Sequence, residues 1–160
     1  MIGVYQVKTL NLYPVVNDAV TKQLHLETEY AGTFTIPPNA YNPLRQQYDA
    51  RTIVNALVER TSTQYDLSIG FVDVDMYVSK MNFIFGVADP VKKIALVSTF
   101  RLAGERCDER VAKETVHELG HLKGLEHCTT ETCVMHFSNT LEDTDQKNAI
   151  LCSNCRSHLA

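Results

Sequence analysis

The stretch His117-Glu118-Leu119-Gly120-His121-Leu122-Lys123-Gly124-Leu125-Glu126-His127-Cys128 decides how the rest of the chain is read. On a helix of ~3.6 residues per turn, His117 and His121 stand one turn apart on one face, close enough to ligate a single ion. A projection at ~100° per residue puts both imidazoles away from the stripe of Val111, Thr115, Leu119 and Leu122. Glu118 falls between those two faces, beside the ion but out of ligand register, which suits a general base acting on a water at the metal. Gly124 lets the helix stop, because glycine takes left-handed dihedrals without a Cβ clash. The chain can then turn and return His127 as a third ligand. Three histidines leave a fourth position open, the arrangement of a catalytic rather than a structural zinc. The competing reading is an amphipathic helix with three histidines on its solvated face. The added glycine and third histidine at fixed offsets make such a coincidence hard to sustain. Met135 follows eight residues after His127, where a turn would pass beneath such a site; a methionine there is otherwise ordinary core filler.

The cysteines extend the pattern. They are Cys107, Cys128, Cys133, Cys152 and Cys155, an odd count that disfavours a disulfide framework. The last four form a C-x4-C and a C-x2-C pair, and four thiolates so spaced can wrap one tetrahedral structural zinc. Two disulfides, or four reduced and partly buried thiols, are the alternatives. Cys107, ahead of the histidine helix, reads as a small buried apolar residue.

At 160 residues the chain fits one domain with a proper core, and 44% apolar with 21% charged residues is the composition of an ordinary globular protein. The net charge of −4, with no basic run, argues against nucleic acid as a partner. No stretch approaches the ~20 apolar residues of a membrane span. The N-terminal Met1-Ile2-Gly3-Val4-Tyr5-Gln6-Val7 lacks a basic start and a long apolar run, so it reads as a first strand rather than a signal peptide. A cytoplasmic monomer is expected, with no latency segment.

Along the chain, residues 2–8 read as a strand, and Pro14 opens a helix over 14–29. Residues 31–36 read as a β-rich run, 44–62 as a helix with Tyr48 and Ile53 in its stripe, and 67–73 as a strand. Asp73 and Asp75 at that strand's end stay unassigned, since carboxylates there are commonly turn residues. Residues 82–88 and 94–100 fit two strands of a hairpin joined through Asp89-Pro90. The histidine helix follows with Asp108 as its N-cap and Glu109 favourable to the helix dipole. A last helix spans 141–151 and leads into Cys152. This order implies an α/β sandwich over a mainly parallel sheet, with one hairpin strand antiparallel at the edge.

With these residues in view the chain resembles the archaemetzincins, a branch of the metzincin clan of zinc metallopeptidases. The family hallmark is H-E-x-x-H-x-x-G-x-x-H-C, then C-x-M, then C-x-x-C. Here these are His117 to Cys128, Cys133-Val134-Met135, and Cys152-Ser153-Asn154-Cys155. The resemblance implies a metzincin-like three-layer α/β sandwich with a mixed, mainly parallel sheet, a long active-site helix and a short C-terminal zinc-bound part. The single domain would divide into residues 1–124, holding the sheet and active-site helix, and 125–160, holding the Met-turn at Met135, the four-cysteine site and a C-terminal helix. Two zinc ions per chain are implied: a catalytic one on His117, His121 and His127 with Glu118 as general base, and a structural one on Cys128, Cys133, Cys152 and Cys155. Substrate would lie extended along the edge strand 82–88. Some metzincins carry a tyrosine two residues past the Met-turn methionine; Phe137 stands there instead, and His136 beside it reads as a polar loop histidine.

His127 and Cys128 are adjacent yet serve different ions in this reading. Neighbouring side chains of an extended segment point to opposite sides, so the structural zinc would fix the segment that presents the third histidine. The expected function is a zinc-dependent peptidase acting on peptides or small proteins. A zinc-stabilised peptide-binding protein with little turnover and a zinc amidase acting on small substrates are the rivals. Glu118 discriminates against the pure binder, which has no chemical need of a base.

Overall fold

In chain order the elements are β1 (Ile2–Gln6), α1 (Tyr13–Leu24), β2 (Thr28–Thr33), β3 (Tyr41–Asn42), β4 (Gln47–Asp49), α2 (Ala50–Arg60), β5 (Leu67–Val72), β6 (Met76–Tyr77), β7 (Gly86–Asp89), β8 (Ile94–Ser98), α3 (Cys107–Leu122), α4 (Leu141–Gln146) and α5 (Ser153–Ser157). The structure, a computed structural model, describes residues 1–61 and 63–159. Strands β1, β5 and β8 are buried on both faces apart from Leu67. Such strands belong in the middle of a parallel sheet with helices on each side. The main sheet runs β2-β1-β5-β8-β7, parallel except for β7, which pairs antiparallel with β8 from Gly86↔Val97 to Asp89↔Ile94. A small second sheet joins β3, β4 and β6.

The pleat sorts side chains between two cores. In β8, Ala95 and Val97 join Val16 and Val20 of α1 and Val116 and Leu119 of α3. Ile94 and Leu96 face the other way, onto Ile53, Val54 and Leu57 of α2. The result is the expected three-layer sandwich, with α1 and α3 on one face and α2 on the other. Leu125, Cys133, Met135, Leu151 and Cys155 pack into the α1–α3 core, so the C-terminal segment closes the same core as α3. Among the described residues no helix is long and apolar enough to cross a membrane.

Several element bounds differ from those expected. Helix α1 stops at Leu24 because His25 takes a left-handed conformation (φ 54°), so β2 begins at Thr28 rather than residue 31. Helix α2 starts at Ala50, not residue 44: the preceding residues form the β3–β4 hairpin, turned at Gln46 (φ 55°). Tyr48 therefore packs its ring on Tyr41 instead of joining a helical stripe. Asp49 caps α2 by accepting from the Arg51 N–H. Residue 62, where that helix was expected to end, lies outside the described residues. Strand β7 begins only at Gly86; before it, Ile84 N–H donates to Met76 O and draws the chain out of the sheet. Asp108 is not the N-cap of α3. Arg106 holds that place, and Asp108 and Glu109 occupy the first turn, where they complement the helix dipole. The helix expected over 141–151 breaks after Gln146, and Lys147 turns inward.

Candidate active site

Helix α3 carries His117, Glu118 and His121 through the core and ends where Gly124 takes φ +93°. Gly124 N–H donates to His121 O at 3.0 Å and Leu125 N–H to Gly120 O at 2.9 Å, the paired bonds of a Schellman turn. That turn sends residues 125–128 back across the end of the helix. The ligand atoms of His117, His121 and His127 then lie within 4.8 Å of one another. His117 is buried, which removes the reading of a histidine-bearing solvated face.

The hydrogen bonds fix the tautomers. His117 Nδ1–H donates to Val134 O and His121 Nδ1–H to Leu125 O, each at 2.8 Å, because a carbonyl oxygen can only accept. Both Nε2 atoms are left with bare lone pairs, and they face each other 3.2 Å apart. Two lone pairs repel at that distance unless a cation lies between them. The edge of a tetrahedron with metal–nitrogen bonds of ~2.0 Å is ~3.3 Å, so the residues fit a zinc-sized ion. Burial pushes the pKa of His117 well below the usual histidine range, with the Lys147 ammonium as a lesser cause, and burial lowers those of His121 and His127. The imidazoles are thus held neutral and ready to ligate.

The four cysteines converge on a second cluster, joined to the histidines through Cys128, the residue after His127. Cys128 Sγ lies 3.8 Å from Cys152 Sγ, and Cys133 Sγ lies 3.8 Å from Cys155 Sγ. All four sulfurs fall within 4.8 Å of one another. A disulfide needs a separation of ~2.05 Å, whereas a tetrahedron with zinc–sulfur bonds of ~2.3 Å has edges of ~3.8 Å. The spacing fits one closed tetrahedral ion and rules out the disulfide alternative here. Cys107 stands apart at the start of α3; burial raises its pKa, as befits an inert packing thiol.

Met135 is wholly buried beneath the end of α3. A Cβ on Gly120 would lie 2.5 Å from Met135 Sδ, so any larger residue there would force the methionine side chain to shift. The adjoining chain is tied back, with Cys128 N–H donating to Met135 O at 3.0 Å.

A cavity of about 250 Å³ opens beside the histidines. Its lining includes Gly86, Val87 and Ala88 of β7, Phe137, Ser138 and Asn139, and Glu118, which lies against Gly86. Burial raises the Glu118 pKa well above the usual carboxylate value, Glu114 raises it further, and Lys147 opposes both. The Phe137 ring stands over His127, with centroids 5.2 Å apart. Asp75 is engaged by a two-pronged Arg101 pair and by Gln47, and Asp73 accepts from Thr9, so neither carboxylate belongs to the site.

Glu114 and Lys147 line the same cavity and were not anticipated. Glu114 could have been found, since it stands one helical turn before Glu118. Nothing in the sequence around Lys147 announces a buried ammonium.

An open three-histidine set with a carboxylate beside it, in a cleft walled by an antiparallel edge strand, defines a zinc-peptidase type of protein. The profile of peptidase family M54 matches residues 13–160. An archaemetzincin of Pyrobaculum aerophilum is 46% identical over 116 residues, covering 72% of this chain and 73% of that one. The crystal structure of an archaemetzincin from Methanopyrus kandleri superposes with a TM-score of 0.88 at 32% identity, over 98% of this chain and 91% of the other. A zinc-dependent peptidase from Methanocorpusculum labreanum superposes with a TM-score of 0.89 at 25% identity over the whole of both chains. The chain belongs to peptidase family M54, the archaemetzincins, and is a zinc metallopeptidase.

Proposed function

We propose that this chain hydrolyses peptide bonds at His117, His121 and His127 with Glu118 as general base, and that a second zinc on Cys128, Cys133, Cys152 and Cys155 holds the site together. The observation that carries this reading is the pair of bare Nε2 lone pairs 3.2 Å apart, with the buried carboxyl of Glu118 in the adjoining cleft. Zinc bound there supplies a Lewis acid that polarises a carbonyl and makes water more acidic. Glu118 accepts the proton of the attacking water and returns it to the leaving amine. A carboxyl whose pKa is raised by burial holds that proton more firmly than an exposed one would. The backbone of β7 offers its outer edge to an extended peptide, which would add to the sheet as a further strand. The substrate is a peptide or small protein, and the acidic charge balance gives no reason to expect a nucleic acid or membrane partner. We take the enzyme as a cytoplasmic monomer.

Glu118→Gln keeps the shape and removes the base. Hydrolysis of a mixed peptide pool, read as new amino termini, should fall by about 10²–10⁴-fold while zinc content stays unchanged. Wild-type turnover by that variant would refute the assigned base.

A further inference from the structure

Two of the three histidines are fixed by the helix that carries them, whereas His127 comes from a separate segment and its ring is exposed. Besides the Phe137 ring, the backbone of that segment sets its place, and the tie can be followed. Cys128, the next residue, has both backbone groups engaged by one neighbouring stretch. Its N–H donates to Met135 O, and its carbonyl accepts from His136 Nδ1–H at 2.8 Å. The carbonyl of His136 in turn accepts from Lys147 Nζ at 2.9 Å. Lys147 is fully buried, and its ammonium lies 3.8 Å from Glu114 Oε1 on α3 and 3.5 Å from His117 Nδ1.

We propose that Lys147 and His136 are positioning residues for the third histidine: they form a relay, Glu114–Lys147–His136–Cys128, that sets His127 against the two histidines of α3. The proposal rests on the reading of the three histidines as a zinc site. Its physical basis is the cost of the charge. An ammonium buried this deeply is expensive, and a methionine of similar length would fill the space without that penalty. What the charge adds is direction. It holds the carbonyl of His136 and the carboxylate of Glu114 on α3 at the same time. His136 adds the last link by a ring nitrogen rather than by its bulk, so a donor at the same place should serve equally well. Groups behind metal ligands typically alter metal affinity by about 10–100-fold when removed.

The test is a Co²⁺ titration of the zinc-depleted full-length chain. The thiolate-to-cobalt absorbance reports the four-cysteine site, and the weaker visible bands report the histidine site. Lys147→Met should weaken Co²⁺ at the histidines by about 10–100-fold and leave the four-cysteine affinity within about twofold. His136→Asn, which keeps an N–H donor where Nδ1 stands, should bind close to wild type, and His136→Leu should lose as much as Lys147→Met. Equal affinities for the Asn and Leu variants, or wild-type affinity in Lys147→Met, would overturn the relay. If Lys147→Met fails to fold, seen as loss of the thiolate band, the His136 pair decides the matter alone. A wild-type chain that takes no Co²⁺ at the histidines would overturn the zinc assignment and the relay with it. A wild-type site that fills normally, with variants that fill equally well, would overturn only the relay.

Discussion

Gly86→Ala tests whether the edge strand is in contact with Glu118, the proposed general base. Gly86 opens β7 opposite Val97 of the buried strand β8. A Cβ placed on it would stand 2.9 Å from both Cγ and Oε1 of Glu118 and 3.0 Å from Leu96 O, where ordinary contact begins at 3.4 Å. Roughly 0.5–1 Å must therefore open somewhere, since interiors pack without slack. Leu96 O belongs to the β7–β8 ladder and cannot yield cheaply, so the carboxylate of Glu118 moves. A misplacement of about 1 Å costs up to ~10²-fold in rate, and kcat should fall by about 10–100-fold. The imidazoles hang from Val134 O and Leu125 O, remote from β7 in sequence, so zinc content should hold. Overpacking of this size costs about 1–3 kcal/mol, or roughly 2–12 °C in Tm for a chain of this length. The assay pairs peptide-pool hydrolysis with zinc analysis on the same preparation. Wild-type kcat in a folded, zinc-replete Gly86→Ala chain would refute the contact or the role given to Glu118.

Two further changes probe the support beneath the site. Cys152→Ser opens the four-sulfur cluster, so the melting temperature should fall by more than about 10 °C and zinc should also be held less tightly at the histidines. An unchanged Tm would argue against a structural ion. Met135→Ala leaves a void under Gly120 and should cost about 2–5 kcal/mol, seen as a drop of roughly 4–20 °C, whereas Met135→Leu should cost less than about 1.5 kcal/mol. A drop below about 2 °C for the alanine variant would mean that Met135 does not fill that space.

The clustering of the candidate site was legible in the sequence because its three histidines sit at fixed offsets that only a few backbone shapes allow. A helical turn separates His117 from His121, and Gly124 places the turn that returns His127. The three buried strands were legible for a related reason, since runs of apolar residues bounded by polar ones have few alternatives. Bounds failed where side chains outside the local window decided the outcome. Tyr48 lies in the span read as a helix, yet the left-handed turn at Gln46 and the ring of Tyr41 put it in a hairpin. Helix α4 ends at Gln146 because Lys147 is drawn inward by Glu114 and His136 O, partners 33 and 11 residues away in the chain. Local pattern carries no trace of such a pull.

The central claim is that two distinct zinc ions sit on this chain and that the histidine-bound one carries the hydrolysis. Zinc per folded chain, measured together with peptide turnover in the wild type and in the His117→Ala, His121→Ala double variant, tests it most directly. The account predicts two zinc ions with activity in the wild type, and one zinc without activity in the variant. Equal zinc content in both proteins, or turnover surviving in the variant, would contradict it.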